Sequence, residues 1–194
     1  MKNLRYFLPA FAALFLAASC DSNDDGFYNT KYINAQNLAT IETLPEYSVG
    51  DVLYVEAFIP NLLPEPEQSN PLNIRKTTGN ADVFEFSYVL ERNTGGDNWE
   101  FVDLTDLFIE DQGDGDAGSF IQAYPEYNSL MDAYIFRGGI QFAQTGNYRL
   151  SFGYNSNSTD RVEFISHSPG NNVTLNISST SADIESGFYT FTVD

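Results

Sequence analysis

The sequence predicts an all-β fold, an antiparallel two-sheet sandwich, and three observations carry that expectation. The 194 residues include 16 Phe and 12 Tyr, with Val, Ile and Thr also abundant and turn signals at short intervals. This is the composition of pleated, half-buried surface. Several segments alternate apolar and polar residues with period two, as antiparallel strands do when one face is buried and the other wet. Beyond the first twenty residues, no stretch keeps a helical apolar period between caps. Two such sheets bury their apolar faces most simply against one another.

The strands follow in chain order. Asp51–Ile59 (DVLYVEAFI) is preceded by a Val49-Gly50 turn and stopped by Pro60. Asp82–Arg92 sets Phe84, Phe86, Tyr88 and Leu90 on one face, with Glu85 and Ser87 on the other. The run NTGGDN then turns the chain into Trp99–Leu104, which predicts a hairpin. A short helical turn is expected within Tyr124–Tyr134 (YPEYNSLMDAY). Asn147–Tyr154 sets Tyr148, Leu150, Phe152 and Tyr154 against Asn147, Arg149, Ser151 and Gly153. Asn172–Ser178 sets Val173, Leu175 and Ile177 inward, and the terminal Phe188–Asp194 does the same with Tyr189, Phe191 and Val193.

The first residues read as an export signal. Lys2 and Arg5 precede an apolar run from Tyr6 to Ala18, broken only by Pro9, and Ala17-Ala18-Ser19 are the small residues of a processing site. The run is too short to span a bilayer, which takes about 20 apolar residues. The division expected is a signal over 1–19, a lipidated Cys20 with an acidic tether over 20–30, and one β-sandwich domain over 31–194.

Cys20 is the only cysteine, so an internal disulfide is excluded. The residues LAASC resemble the lipobox of bacterial lipoproteins, with Ala17 where Leu is most common and Leu16 one place earlier. That resemblance implies acylation of the Cys20 thiol. One chain anchors only marginally, at about 0.8 kcal/mol per buried methylene, so stable anchoring takes several chains. The following DSNDDGF, through Asp21, Asp24 and Asp25, resembles the acidic export tag of Bacteroidetes-type surface lipoproteins. An aspartate directly after the cysteine also resembles the inner-membrane retention signal of enterobacterial lipoproteins; the whole acidic cluster favours the outer membrane and the cell surface.

Two further segments, TGNYRL (Thr145–Leu150) and SGFYTF (Ser186–Phe191), read Gly-x-Tyr-x-apolar. They resemble the approach to a late strand in immunoglobulin-like domains, where a tyrosine hydroxyl bonds back to the backbone at a corner. SVGDVLYVEAFI resembles an early strand of bacterial modules of that type. The resemblance implies an immunoglobulin-like sandwich, without the Cys–Trp–Cys signature of antibody domains.

The whole chain carries a formal charge of −18. Without Lys2 and Arg5 it keeps seven basic against 27 acidic residues, a formal −20. Such a surface repels nucleic acid and anionic headgroups and favours solubility. It is compatible with cations and neutral sugars.

Candidate sites are few. Glu110–Gly118 (EDQGDGDAG) offers Asp111, Asp114 and Asp116, with Glu110 and Gln112, as oxygen ligands in a Gly-rich loop, so calcium is the one cofactor the sequence suggests. The EF-hand register fails: from Asp114 the twelfth position is Pro125 where Glu is needed, and a solvated acidic hairpin tip is the plainer reading. Trp99, Tyr124 and Tyr127 could form a sugar platform with Asp97, Asn98, Glu126 and Asn128 near in sequence, although aromatic residues in β-rich chains are mostly core. His167 is the only histidine and lacks a Gly-x-Ser-x-Gly partner, so neither a triad nor an ordinary zinc site is indicated. The expectation is therefore a lipid-anchored, non-catalytic binding or accessory module with a glycan or an outer-membrane protein as partner. A polysaccharide hydrolase using a carboxylate pair and a purely structural envelope protein are the alternatives.

Overall fold

The computed structural model describes residues 29–65, 68–152, 161–184 and 186–194. The signal, Cys20, Asp21, Asp24, Asp25 and the tether up to residue 28 lie outside the described residues.

The chain is all-β, with two sheets packed as a sandwich. The larger, nine-stranded sheet contains β1 (Thr30–Gln36), β6 (Phe84–Gly95), β7 (Asn98–Phe101), β9 (Asp114–Ala117), β10 (Ile121–Tyr124), β13 (Gly146–Ser151), β14 (Arg161–Ser166), β15 (Thr174–Thr180) and β16 (Tyr189–Val193). The five-stranded sheet contains β2 (Ala39–Glu42), β3 (Val52–Pro60), β8 (Phe108–Gln112), β11 (Glu126–Asn128) and β12 (Ala133–Gln141). A small ribbon pairs β4 (Leu62–Leu63) with β5 (Leu72–Asn73) and leads into helix α1 (Ile74–Thr78). Asn73 caps that helix by accepting from Lys76 N, and Gly79 closes it at φ 67°.

The strand β6 organises the larger sheet. It pairs with β10 and β14 through its first half and with β13 and β7 through its second. Phe84, Phe86, Tyr88 and Leu90 are all buried as expected, while Ser87 and Val89 on the other face are buried too, so this strand is covered on both sides through its middle. They meet β12 of the opposite sheet, with the Phe86 and Phe136 rings edge to face at 5.4 Å and Phe84 and Tyr134 at 4.8 Å. Leu53, Val55, Ala57 and Ile59 of β3 close the same core from the other side.

Strands pass from one sheet to the other at corners. After β1 the chain turns at Asn37 (φ 55°), whose N–H donates to Thr180 O at 2.7 Å, and continues as β2 in the other sheet. After β8 it turns at Gly113 (φ 75°) and continues as β9. Such corners close a sandwich along its sides.

Two expectations need correction. The sandwich is not purely antiparallel: β1 lies parallel to β15 in register from Thr30↔Thr174 to Gln36↔Thr180, so the larger sheet is mixed and an immunoglobulin-like topology is not shown. The segment Tyr124–Tyr134 forms no helix. It is the β11–β12 hairpin, in which Tyr127 pairs with Tyr134 and the buried Ala133 and Tyr134 begin β12. As expected, β3 ends at Pro60, which stands opposite Ala133 as the last residue of the strand. The corner tyrosine holds for one motif of two. Tyr148 Oη donates to Gln144 O at 2.9 Å, whereas Tyr189 Oη meets Tyr47 Oη at 3.3 Å.

Candidate functional site

A polar recess lies where β6 ends. The hairpin turn after β6 uses Gly95 (φ 133°) and Gly96 (φ 61°), conformations that side chains resist. It folds β7 back so that Glu100 stands opposite Arg92. The chain then bends past Asp103 and Asp106 before entering β8. This bend, the end of β12 and the start of β13 enclose a cleft of about 450 Å³. Its rim is polar, with Arg92, Glu100, Asp103, Asp106, Gln141 and Gln144, and its floor is apolar, with Leu90, Leu107 and Phe142.

The rim is partly fixed. Arg92 donates to Gln144 Oε1 at 2.9 Å and to Thr145 O at 2.7 Å. Asp103 accepts from the Thr105 hydroxyl at 2.6 Å and the Thr105 N–H at 3.1 Å, which hold its carboxyl below the usual range. A guanidinium, carboxylates and amides around one opening supply both donors and acceptors, which suits hydroxyl groups that do both. The volume lies within the ordinary range for small-molecule sites.

The residues singled out from the sequence do not converge. Trp99 sits on β7 opposite Asn93, with the Arg149 guanidinium 4.5 Å from its ring. Arg149 is itself held by Glu91 at 2.7 and 3.0 Å and lies 4.1 Å from the Phe188 ring. Tyr127 stands under the Arg75 guanidinium at 4.0 Å and donates to Asp132 at 2.7 Å. Tyr124 donates to Asp116 at 3.2 Å, and its ring meets His167 edge-on at 6.2 Å. Tyr124 neighbours the start of β6 while Trp99 neighbours its end. Their levels along β6, Glu85 and Asn93, are eight residues apart, about 26 Å at about 3.3 Å per residue, so the three rings form no common platform.

The acidic segment is a sheet-to-sheet corner rather than a hairpin tip. Asp111 is bound by Arg137, which also holds Glu56 at 2.9 Å and Glu42 at 2.7 Å and lies 3.5 Å over the Tyr54 ring. These three carboxylates push the Arg137 pKa up. Asp114 and Asp116 lie on the exposed side of β9, and Asp116 takes the Tyr124 hydroxyl. Among the described residues, no three of His, Cys, Asp and Glu gather in a metal-holding group. His167 follows β14 as a half-exposed residue, with Nε2 2.9 Å from Glu85 Oε2. The cleft residues Arg92, Glu100, Asp103 and Asp106 come from segments whose spacing carries no motif, so only the folded chain brings them together.

No family model matches the chain, and no curated protein matches it. Among solved structures, a type II cohesin dyad from the adaptor ScaA scaffoldin of Acetivibrio cellulolyticus matches at 11% identity and a TM-score of 0.34, covering 85% of this chain. The match spans 49% of that structure's length.

Proposed function

We propose that the chain is a non-catalytic binding module, held to the outer membrane by acylated Cys20, that takes a neutral, hydroxyl-rich glycan at the cleft beyond the β6–β7 hairpin. The cleft carries this reading. It combines an apolar floor with a rim of mixed donors and acceptors, and it opens in a surface whose strong negative charge disfavours phosphate-bearing ligands.

The test is a glycan array with the full-length protein in detergent, alongside Glu100→Gln and Asp106→Asn. Binding to a neutral polysaccharide that falls at least about tenfold in each variant supports the reading; one lost hydrogen bond to a charged group is worth about 1.5–3 kcal/mol. Equal binding in all three proteins refutes the cleft. New reducing ends in the incubated polysaccharide refute the non-catalytic reading in favour of the hydrolase.

A further inference from the structure

The two ends of the sandwich differ in chemistry. The chain enters at the end where β3 finishes: Lys31, at the start of β1, pairs with Glu65, just beyond β4, at 3.1 Å. The β11–β12 turn reaches the same end, where Asn61 donates to Asp132 through its backbone at 2.9 Å and its side chain at 3.0 Å. At the crown of this turn, Leu130 is 97% exposed and Met131 56%; Leu62, next to Asn61, is 50% exposed. The crown is braced. Asn128 Oδ1 accepts from the N–H groups of Leu130 and Met131 at 3.0 and 3.2 Å, and Tyr127 Oη donates to Asp132 at 2.7 Å.

The geometry points to a bilayer-docking face: Leu62, Leu130 and Met131 seat the entry end of the body in the interfacial layer of the membrane that holds Cys20. This rests on the lipid-anchor reading above. Single exposed apolar side chains are ordinary; here three adjoin one another at the end where the tether attaches. Eight residues, 21–28, separate Cys20 from the first described residue, and an extended chain spans no more than about 3.6 Å per residue, about 30 Å over the nine steps. The tether therefore keeps this end at the membrane surface, where docking is effectively intramolecular and weak apolar contacts suffice. The local charge is mixed, with Asp132 on the crown itself and Glu126 at the start of β11. Lys31, Arg75 and Lys76 stand at this end, three of the seven basic residues that follow position 28, and Lys31 and Arg75 pair with Glu65 and Asp82.

The test uses full-length protein in vesicles with brominated acyl chains, which quench tryptophan at the interface. Wild type reports from Trp99 at the far end of the sandwich; the variant carries Trp99→Phe and Leu130→Trp, the latter at a site exposed enough to leave folding intact. Loss of emission from the variant, with wild-type emission unchanged, is expected. Unquenched emission from position 130 in protein whose mass spectrum shows acylated Cys20 overturns the docking face and leaves the anchor standing. An unmodified Cys20 overturns the anchor, and docking is then decided by the same quenching after the thiol is coupled to a maleimide lipid. A concentration-dependent blue shift from position 130 without vesicles would assign the face to a second copy of the chain and refute the proposal.

Discussion

Replacing Gly113 by Ala separates a closed corner from a loose acidic tip. Gly113 has φ 75°, and a Cβ there would stand 2.9 Å from Tyr124 O, 3.1 Å from Ile135 O and 3.3 Å from the Phe136 ring. Two of these neighbours are backbone carbonyls in paired strands and cannot rotate away. The left-handed backbone costs a side chain about 1–2 kcal/mol, and forcing an extra methyl into a packed site costs about 1–3 kcal/mol more. Together these predict a loss of about 2–5 kcal/mol. For a domain of this size each kcal/mol lowers Tm by about 2–4 °C, so the fall should be about 4–20 °C. Two other glycines calibrate the result. Gly96 has φ 61° but nothing within 4 Å of an added Cβ, so Gly96→Ala isolates the backbone cost, about 1 kcal/mol. Gly118 has open space and no positive φ, so Gly118→Ala should change little. Urea unfolding followed by far-ultraviolet circular dichroism gives all three. If Gly113→Ala costs no more than Gly96→Ala, the β8–β9 corner is not closed as described, and the acidic segment is a solvated tip after all.

Two tyrosines should respond oppositely to loss of the hydroxyl. Tyr148→Phe removes the bond to Gln144 O and should cost about 1 kcal/mol, whereas Tyr88→Phe removes a fully buried hydroxyl with no partner among the described residues and should be neutral or stabilising by urea midpoint. Alkaline pH should destabilise the fold. Burial raises the Tyr134 pKa from 10.0 to about 12 and pushes Tyr88 and Tyr189 up as well. The native state therefore keeps protons that the unfolded chain releases, so this contribution is complete below pH 10 and fades as pH rises through about 12. Absorbance at 295 nm and circular dichroism should show the late tyrosines ionising together with unfolding; late ionisation without loss of structure would refute the coupling.

What the sequence disclosed depended on how each residue's neighbours are arranged. β3, β15 and β16 were readable because one face of each is more deeply buried than the other, and β6 because its large aromatic residues fall on alternate positions even though Ser87 and Val89 between them are buried too. Tyr148 was readable because a corner tyrosine bonds within its own segment, four residues back. Tyr189 sits in the same local pattern but meets Tyr47, 142 residues away, which no local pattern encodes. The parallel β1–β15 pair was hidden for the same reason. The acidic segment misled because glycine and aspartate suit both a ligand loop and a tight corner. Its meaning turns on Tyr124, Ile135 and Phe136 packing against Gly113, and on Arg137 reaching Asp111 from another strand. Helix α1 left a trace in its caps, Asn73 and Gly79, but its five residues are too few for periodicity to show.

The proposed anchor and the proposed cleft site constrain one another through β6. That strand starts at the entry end, where Phe84 N bonds to Pro125 O beside the β11–β12 hairpin, and finishes at the cleft, where Arg92 meets Gln144. Its twelve residues span roughly 40 Å at about 3.3 Å each, more than the tether's reach of about 30 Å. A body seated on Leu62, Leu130 and Met131 therefore holds its cleft away from the membrane, open to long polymers outside the cell and out of reach of groups in the headgroup layer. Shortening the tether should then leave glycan binding unchanged, because the cleft's distance is set by the sandwich. Lengthening it with a flexible insert should reduce quenching at position 130 as the effective concentration falls, again without weakening glycan binding. If glycan affinity instead tracks tether length on vesicles, the ligand is being met at the membrane-facing end, and the assignment of the two ends is reversed.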